Sequence, residues 1–244
     1  ATLDEAVAID DVKRFIAQKD LDSKTRYIPK KVIPSNRGEF KNKIAIIGGG
    51  PAGLSCAYYL ALTGYRPTVF EKNEKPGGML TYGIPSYKLE KDVVEEEIDI
   101  IRALGVEIKC GVEVGKDITL DELRKDGYEA FYIAIGCQGS RKSGVAGEDA
   151  DGVMSAVDIL HEIAENHDLD LKGNKTVVIG GGNVAVDVAR STKRCGADVL
   201  GMFCLESREE MPASEEEIFE TEDEGIQINN GWGVKEILAE NGLS

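Results

Sequence analysis

Short blocks of consecutive apolar residues alternate along this chain with longer segments whose apolar positions recur every three or four residues, and glycines punctuate the changeovers. From Ile9 to Ala17 that period puts Val12, Phe15 and Ile16 on one helical face, and the polar, proline-bearing stretch behind it reads as an extended arm, so residues 1–40 are expected to form a short docking helix and arm. Lys43 to Ile47 is apolar enough for a buried strand. A helix follows from about Ala52 to Thr63, with Gly64 suited to the left-handed residue that stops it. Pro67 to Glu71 is the next strand. Beyond a glycine-bearing loop, Asp92 to Leu104 has the spacing of a charged amphipathic helix and Val106 to Cys110 that of a short strand, while Ala130 to Gly136 reads as a buried strand returning to the first sheet.

The order then repeats. A polar connector, Val145 to Asp151, leads to a helix from Val157 to Glu165, a strand from Thr176 to Ile179, a glycine turn, a helix from Val184 to Cys195 stopped by Gly196, and a strand from Val199 to Glu206. The two glycine turns lie about 130 residues apart, which marks a domain-sized duplication rather than a solenoid period. Strands alternating with helices predict an α/β chain: two Rossmann-like, doubly wound parallel-sheet domains in tandem, at 41–143 and 144–244, behind the N-terminal helix and arm.

Composition narrows the partners. With 244 residues, 42% of them hydrophobic, the chain can bury two ordinary cores. Its 44 acidic and 29 basic side chains give a formal charge of -15, a field that repels polyanions and argues against nucleic acid. No apolar run approaches the roughly 20 residues of a membrane span, and the opening ATLDEAVAIDD lacks the regions of a signal peptide, so a cytoplasmic chain without membrane insertion is expected. Cys56, Cys110, Cys137, Cys195 and Cys204 stand singly, without CxxC or cluster spacing; no dithiol and no metal site is expected within the chain. His161 and His167 lie in a polar segment without ligand company and read as surface residues. The acidic run Glu215 to Glu224 reads as a solvated helix face.

The chemistry lies in the glycine turns. In KIAIIGGGPAGLSCAYYLA, Gly48, Gly50 and Gly53 meet the pattern GxGxxG between a strand and a helix. Gly48 permits the tight turn, Gly50 lets a pyrophosphate approach the backbone, and Gly53 lets the helix pack on the strand; the helix N-terminus then faces the pyrophosphate with its unpaired N–H groups. Glu71, closing the next strand, is placed to accept from adenosine ribose hydroxyls. The second turn, KTVVIGGGNVAVDVARSTKRCG, has Gly180, Gly182 and Ala185 in the same places, with Glu206 as its acidic partner. Two dinucleotides are implied, one a bound flavin and the other an exchangeable nicotinamide.

The stretch EKNEKPGGMLTYGIPSYKLEKDVVEEEIDIIRALGVEI, with AFYIAIG and SREEMPAS, resembles the small subunit of glutamate synthase and its relatives, among them flavin-bearing subunits of electron-bifurcating transhydrogenases and the flavin and pyridine-nucleotide domains of dihydropyrimidine dehydrogenase. The resemblance runs from about Ala8 to the end. It implies FAD at the first turn and NAD(H) or NADP(H) at the second, with hydride passing to the flavin and electrons leaving through iron–sulfur clusters to an iron–sulfur domain or a larger partner subunit. Carried over, Gly48, Gly50, Pro51, Ala52, Gly53 and Glu71 would hold the adenosine diphosphate half of FAD. Gly78, Met79 and Leu80 would meet its pyrophosphate and ribityl region, with Gly136 close by. Gly180, Gly182, Asn183 and Val184 would hold the nicotinamide dinucleotide. Such hydride transfer needs no side-chain acid or base, so no catalytic residue is assigned.

The chain departs from the resemblance in three places. It has no cysteine before Cys56, where relatives carry a cysteine-rich iron–sulfur domain; it stops at Ser244, before the segment that returns to the flavin; and Leu205 and Glu206 stand where many relatives have an Arg-Arg pair. The expectation is a fragment of a longer polypeptide, with iron–sulfur clusters outside it, apolar sheet surface exposed, a possible homo-oligomer, and NADH preferred over NADPH. Two other readings stay open at this point: a nucleotide-binding scaffold without catalysis, and a disulfide reductase of similar fold, which the missing dithiol disfavours.

Overall fold

The computed structural model describes residues 7–239 except 34, 37, 141, 167 and 168. The chain divides into two compact units, the first made of the residues up to Thr81 with Leu89–Gly136 and the second of Tyr82–Lys88 with the residues from Cys137 onward.

In the first unit, helix α1 (Ile9–Leu21) precedes β1 (Lys43–Ile47), α2 (Pro51–Leu62), β2 (Arg66–Phe70), the single turn α3 (Met79–Tyr82, whose last residue belongs to the second unit), α4 (Lys91–Ala103), β3 (Glu107–Lys109), α5 (Leu120–Lys125) and β4 (Tyr128–Ile133). The strands form one sheet in the order β3-β2-β1-β4, every pairing parallel. The central strand β1 is continuously apolar because both faces are covered; Ile46 packs with Ala57 and Ala61 of α2, and Ala45 with Phe70, Leu123 and Tyr128. Gly64 ends α2 as expected, at φ 93°, with Tyr65 N–H donating to the Leu60 carbonyl and Gly64 N–H to that of Ala61.

Helix α1 runs one turn beyond its expected end and buries none of its residues. It is tied to the unit by charge: Arg26 bonds Asp20 of α1 at 2.6 Å and Glu97 of α4 at 2.8 Å. Between α1, α2 and α4 lies a cavity of about 1000 Å³ lined by Ile16, Leu54, Tyr58, Val94 and Ile98, among others. The run Ala130 to Gly136 differs from the buried strand that its composition predicts. The strand ends at Ile133, and Tyr132, Ile133 and Ile135 are 43%, 64% and 63% exposed. It is an edge strand, covered where Phe131 packs beside Leu123 and bare beyond.

The second unit contains α6 (Ala156–Glu165), β5 (Lys175–Ile179), α7 (Asn183–Arg194), β6 (Asp198–Cys204), α8 (Glu215–Asp223) and β7 (Ile228–Asn230), with a parallel sheet ordered β5-β6-β7. Its core gathers Ile159, Leu160, Val178, Val186, Ala189, Met202, Ile218 and Ile226. Ser155 and Ser214 cap α6 and α8 by accepting from the N–H three residues on. The segment Tyr82–Lys88 packs here. Lys88 lies between Asp187 of α7, at 2.5 Å, and Glu217 of α8, and the Tyr87 ring lies under the guanidinium groups of Arg190 and Arg194.

Candidate dinucleotide sites

The first glycine turn joins β1 to α2 at the carboxyl end of the sheet, where open α/β folds receive ligands. Gly48 N–H donates to the Phe70 carbonyl at 2.8 Å. A Cβ on Gly48, at φ 106°, would fall 2.3 Å from the Ala134 carbonyl oxygen, and one on Gly53 would fall 1.9 Å from the Gly48 carbonyl oxygen. Both positions are therefore dictated by the protein's own packing. Gly50 is different: a Cβ there meets only Gly78 Cα, at 3.8 Å. Glu71, 5% exposed, reaches into the turn, its Oε2 accepting from Gly49 N–H at 2.7 Å and its Oε1 from Asn73 N–H at 2.9 Å. Gly77 N–H donates to the Gly49 carbonyl at 2.8 Å, and a Cβ on Gly78 would lie 2.9 Å from Gly50 Cα. The Gly77–Leu80 loop thus lies directly against the turn. Pro51 and Ala52 are exposed at the start of α2, Met79 is exposed on the loop, Leu80 packs beside Leu54, Val94 and Ile98, and Gly136 follows β4 at φ 70°.

The second turn repeats the construction. Gly180 N–H donates to the Phe203 carbonyl at 2.9 Å. Here the turn is wide enough for a side chain at its third position, Ala185, whose Cβ stands 3.2 Å from where a Cβ on Gly180 would be. Nothing lies within 4 Å of a Cβ built on Gly182. Glu206 Oε2 approaches to 3.1 Å from the Cβ position of Gly181, the distance at which Glu71 Oε2 approaches Gly49. Val184 is exposed at the mouth of α7. Asn183 Oδ1 accepts from Ser214 N–H at 3.0 Å and Ala213 N–H donates to the Gly181 carbonyl at 3.0 Å, so the MPAS segment buttresses the turn.

The two acids are not equivalent in backbone terms. Val112 N–H donates to the Glu71 carbonyl, whereas Trp232 N–H donates to that of Cys204; Gly111 N–H donates to Asn73, and Gly231 N–H to Glu206. Glu206 thus occupies the place of Asn73 and reaches back to the turn from there. Cys204 takes the place of Glu71, and its thiol is held above the ordinary range by burial first and by the Glu206 carboxylate second.

Sequence reading missed the part played by Tyr82–Lys88 in the second unit, for which only the density of tyrosine and lysine in a glycine-proline loop gave a signal. It also misjudged His161, expected as a surface residue. Its ring is part-buried and stacks on Tyr82, with centroids 4.6 Å apart and planes at 11°, because Tyr82 is brought onto α6. His167 lies outside the described residues. The five cysteines are free, no group of three or more His, Cys, Asp or Glu side chains among the described residues could hold a metal, and no helix among them is long and apolar enough to cross a membrane.

Two parallel sheets, each opened by a glycine turn onto a helix N-terminus and each with a carboxylate at that turn, define a tandem dinucleotide-binding α/β protein. Residues 42–244 match the family described as pyridine nucleotide-disulphide oxidoreductase, and the chain belongs to it. Members generally bind FAD and NAD(P)H. Among curated relatives, the chain is 40% identical to the beta subunit of an NADP(+)-dependent formate dehydrogenase from Moorella thermoacetica, over 98% of this chain and 36% of that protein. It is 35% identical to the small chain of a glutamate synthase [NADPH] from Escherichia coli K12, over 91% and 48%, so the likeness to glutamate synthase small chains holds. It is 37% identical to an NADPH-Fe(3+) oxidoreductase beta subunit from Geobacter sulfurreducens, over 90% and 33%. The chain thus spans between a third and a half of these proteins. Its fold is shared with Mycobacterium tuberculosis FprA in complex with NADPH, at TM-score 0.61 and 24% identity over 75% of this chain and 47% of that one. It is likewise shared with Lactococcus lactis thioredoxin reductase, at TM-score 0.58 and 24% identity over 83% and 69%.

Proposed function

We propose that this chain is the flavin and pyridine-nucleotide module of an electron-transfer oxidoreductase, with FAD at the turn in 41–143 and NADH, in preference to NADPH, at the turn in 144–244. The observation that carries the reading is the contrast among the glycines. Gly48 and Gly53 are required by internal contacts, while Gly50 and Gly182 leave room for a side chain; glycine at those two points is explained by a pyrophosphate pressed against the backbone. Gly50, Pro51 and Ala52 present the N-terminus of α2 to one pyrophosphate, and Gly78, Met79 and Leu80 line its approach. Gly182, Asn183 and Val184 present that of α7 to the other. When bound, FAD supplies a two-electron acceptor for the nicotinamide hydride. Iron–sulfur clusters to accept the electrons would be held outside the described residues, in a partner subunit or adjoining domain, since no group of three or more His, Cys, Asp or Glu side chains among these residues could hold a metal. The exposed apolar edges of β4 and β5 are surfaces for such a partner or for a second copy.

The preference for NADH rests on Glu206 and on what is missing beside it. A carboxylate accepts from the two ribose hydroxyls of NADH and repels the 2′-phosphate of NADPH, which calls for cationic donors. Arg208, the nearest guanidinium in sequence, pairs with Glu222 at 3.1 Å, and Leu205 carries no charge. The three relatives above carry NADP(+) or NADPH in their names, so this preference is a departure from them. Stopped-flow flavin reduction with each nucleotide tests it: NADH should reduce the flavin more efficiently in the wild type, and Leu205→Arg/Glu206→Arg should shift the ratio toward NADPH. Equal efficiency in the wild type, or an unmoved ratio in the variant, refutes the assignment of Glu206.

A further inference from the structure

Trp232 is the single tryptophan of the chain, and it lies 63% exposed in the loop behind β7. The loop itself is firmly held. Trp232 N–H donates to the Cys204 carbonyl at 2.9 Å, while Gly231 N–H and Asn230 Nδ2 donate to that of Glu206 at 3.2 and 3.1 Å. Leu205, 75% exposed, borders the same loop: a Cβ on Gly233, the next residue after Trp232, would fall 2.9 Å from Leu205 Cδ2. A rigid backbone therefore holds an indole and an isobutyl group in water next to the residue whose carboxylate reaches the glycine turn. The first unit ties its third-strand loop down by the same two backbone bonds, Val112 to Glu71 and Gly111 to Asn73. The two loops thus occupy one place relative to their glycine turns.

We infer that Trp232 is the platform on which the adenine ring of the nicotinamide dinucleotide stacks. The inference rests on the reading that the second turn receives that dinucleotide. With the pyrophosphate at Gly182 and the adenosine ribose at Glu206, adenine is the next group outward, beyond the end of β6. There Trp232 offers a flat, uncharged face of the size of a purine. Stacking of a base on an aromatic ring needs no hydrogen-bond partner and serves the adenylate half alone.

The test is flavin reduction by the FAD-loaded protein with two donors, NADH and reduced nicotinamide mononucleotide, the latter lacking the adenylate. Trp232→Ala should raise KM for NADH about tenfold or more and leave kcat unchanged, because the contact is the same in ground and transition states. Trp232→Phe should recover most of the loss. With the mononucleotide, Trp232→Ala should match wild type. Independently, 5′-AMP should quench the indole emission of the wild type. An unchanged KM for NADH, an equal loss with both donors, or a flat AMP titration while NADH still reduces the flavin overturns the platform and leaves the dinucleotide site standing. Failure of NADH and NADPH alike to reduce the wild type would instead remove the site and the platform together.

Discussion

At the scale of single residues, the third position of each glycine turn separates two packing regimes that the motif treats as one. Gly53 has the Gly48 carbonyl oxygen 1.9 Å from where a Cβ would stand, while Ala185 is accommodated in the matching place. Gly53→Ala should therefore destabilise the first unit by about 1–3 kcal/mol, the range for an overpacked core, and loosen flavin, because either α2 or the turn must move. Ala185→Gly should cost only about 0.5–1 kcal/mol and leave nucleotide binding in place. Thermal unfolding and flavin occupancy of the two variants check this; equal shifts would mean that the turns are not so different. The glycines and Glu71 were legible in the sequence because the dinucleotide motif is a set of backbone demands with a fixed spacing. The place of Glu206 was legible only in part, since its distance along the chain says nothing of the backbone offset that puts Cys204 where Glu71 stands.

At the scale of elements, the pairing of α7 with α8 is an ion network rather than a purely apolar seam. Arg190, with its side chain 7% exposed, bonds Glu220 at 2.5 Å and Glu224 at 2.8 Å, and Arg194 bonds Glu224 at 2.7 Å. Burial pushes the Glu224 carboxyl up, but Arg194 and Arg190 outweigh it and hold the group below the ordinary 4.5. A carboxyl whose folded-state value is lowered contributes stability that is complete above 4.5 and lost as pH falls through the folded value. Asp187 runs the other way: burial outweighs Lys88 and raises it above 3.8, so it opposes folding at neutral pH and ceases to do so on acidification. A raw acid-unfolding curve mixes the two effects, and the difference between wild type and Glu224→Gln isolates one. That difference should be constant from pH 6 to 8 and shrink below about 4.5; a difference that grew on acidification would contradict it. This acidic run, which reads as a solvated face, is solvated on one side only, because the period of charge alone does not reveal that a buried arginine on another helix faces it. The long apolar strands and the helices stopped by Gly64 and Gly196 were readable from hydrophobic period and turn chemistry. The short elements α3, α5 and β7 were not, since each is held by tertiary contacts and is too brief to carry a period.

At the scale of the whole molecule, duplication explains most of what the sequence disclosed, because the same strand, turn, helix and strand recur with the same hydrogen bond from turn to second strand. It does not explain the segment Tyr82–Lys88, which lies in the first half of the sequence and belongs to the second unit. That excursion makes the chain pass between the two compact units three times, after Thr81, after Lys88 and after Gly136. Neither unit is then a contiguous gene segment, and the second cannot be cut free at one site. A single proteolytic nick near Cys137 should leave a fragment beginning there still bound to the N-terminal piece, because that piece retains Lys88 between Asp187 and Glu217 and Tyr87 under Arg190 and Arg194. Size exclusion after such a nick should return both fragments in one peak, and a second cut near Lys88 or the substitution Lys88→Met should weaken their association. Separation of the fragments after the first cut would show that the excursion is carried passively. By the same logic, genetic fusions or swaps that exchange residues 137–244 alone would transplant a nucleotide domain without the segment whose Tyr87 and Lys88 meet α7 and α8, so a productive chimera would have to carry the seven residues from Tyr82 to Lys88 along with it.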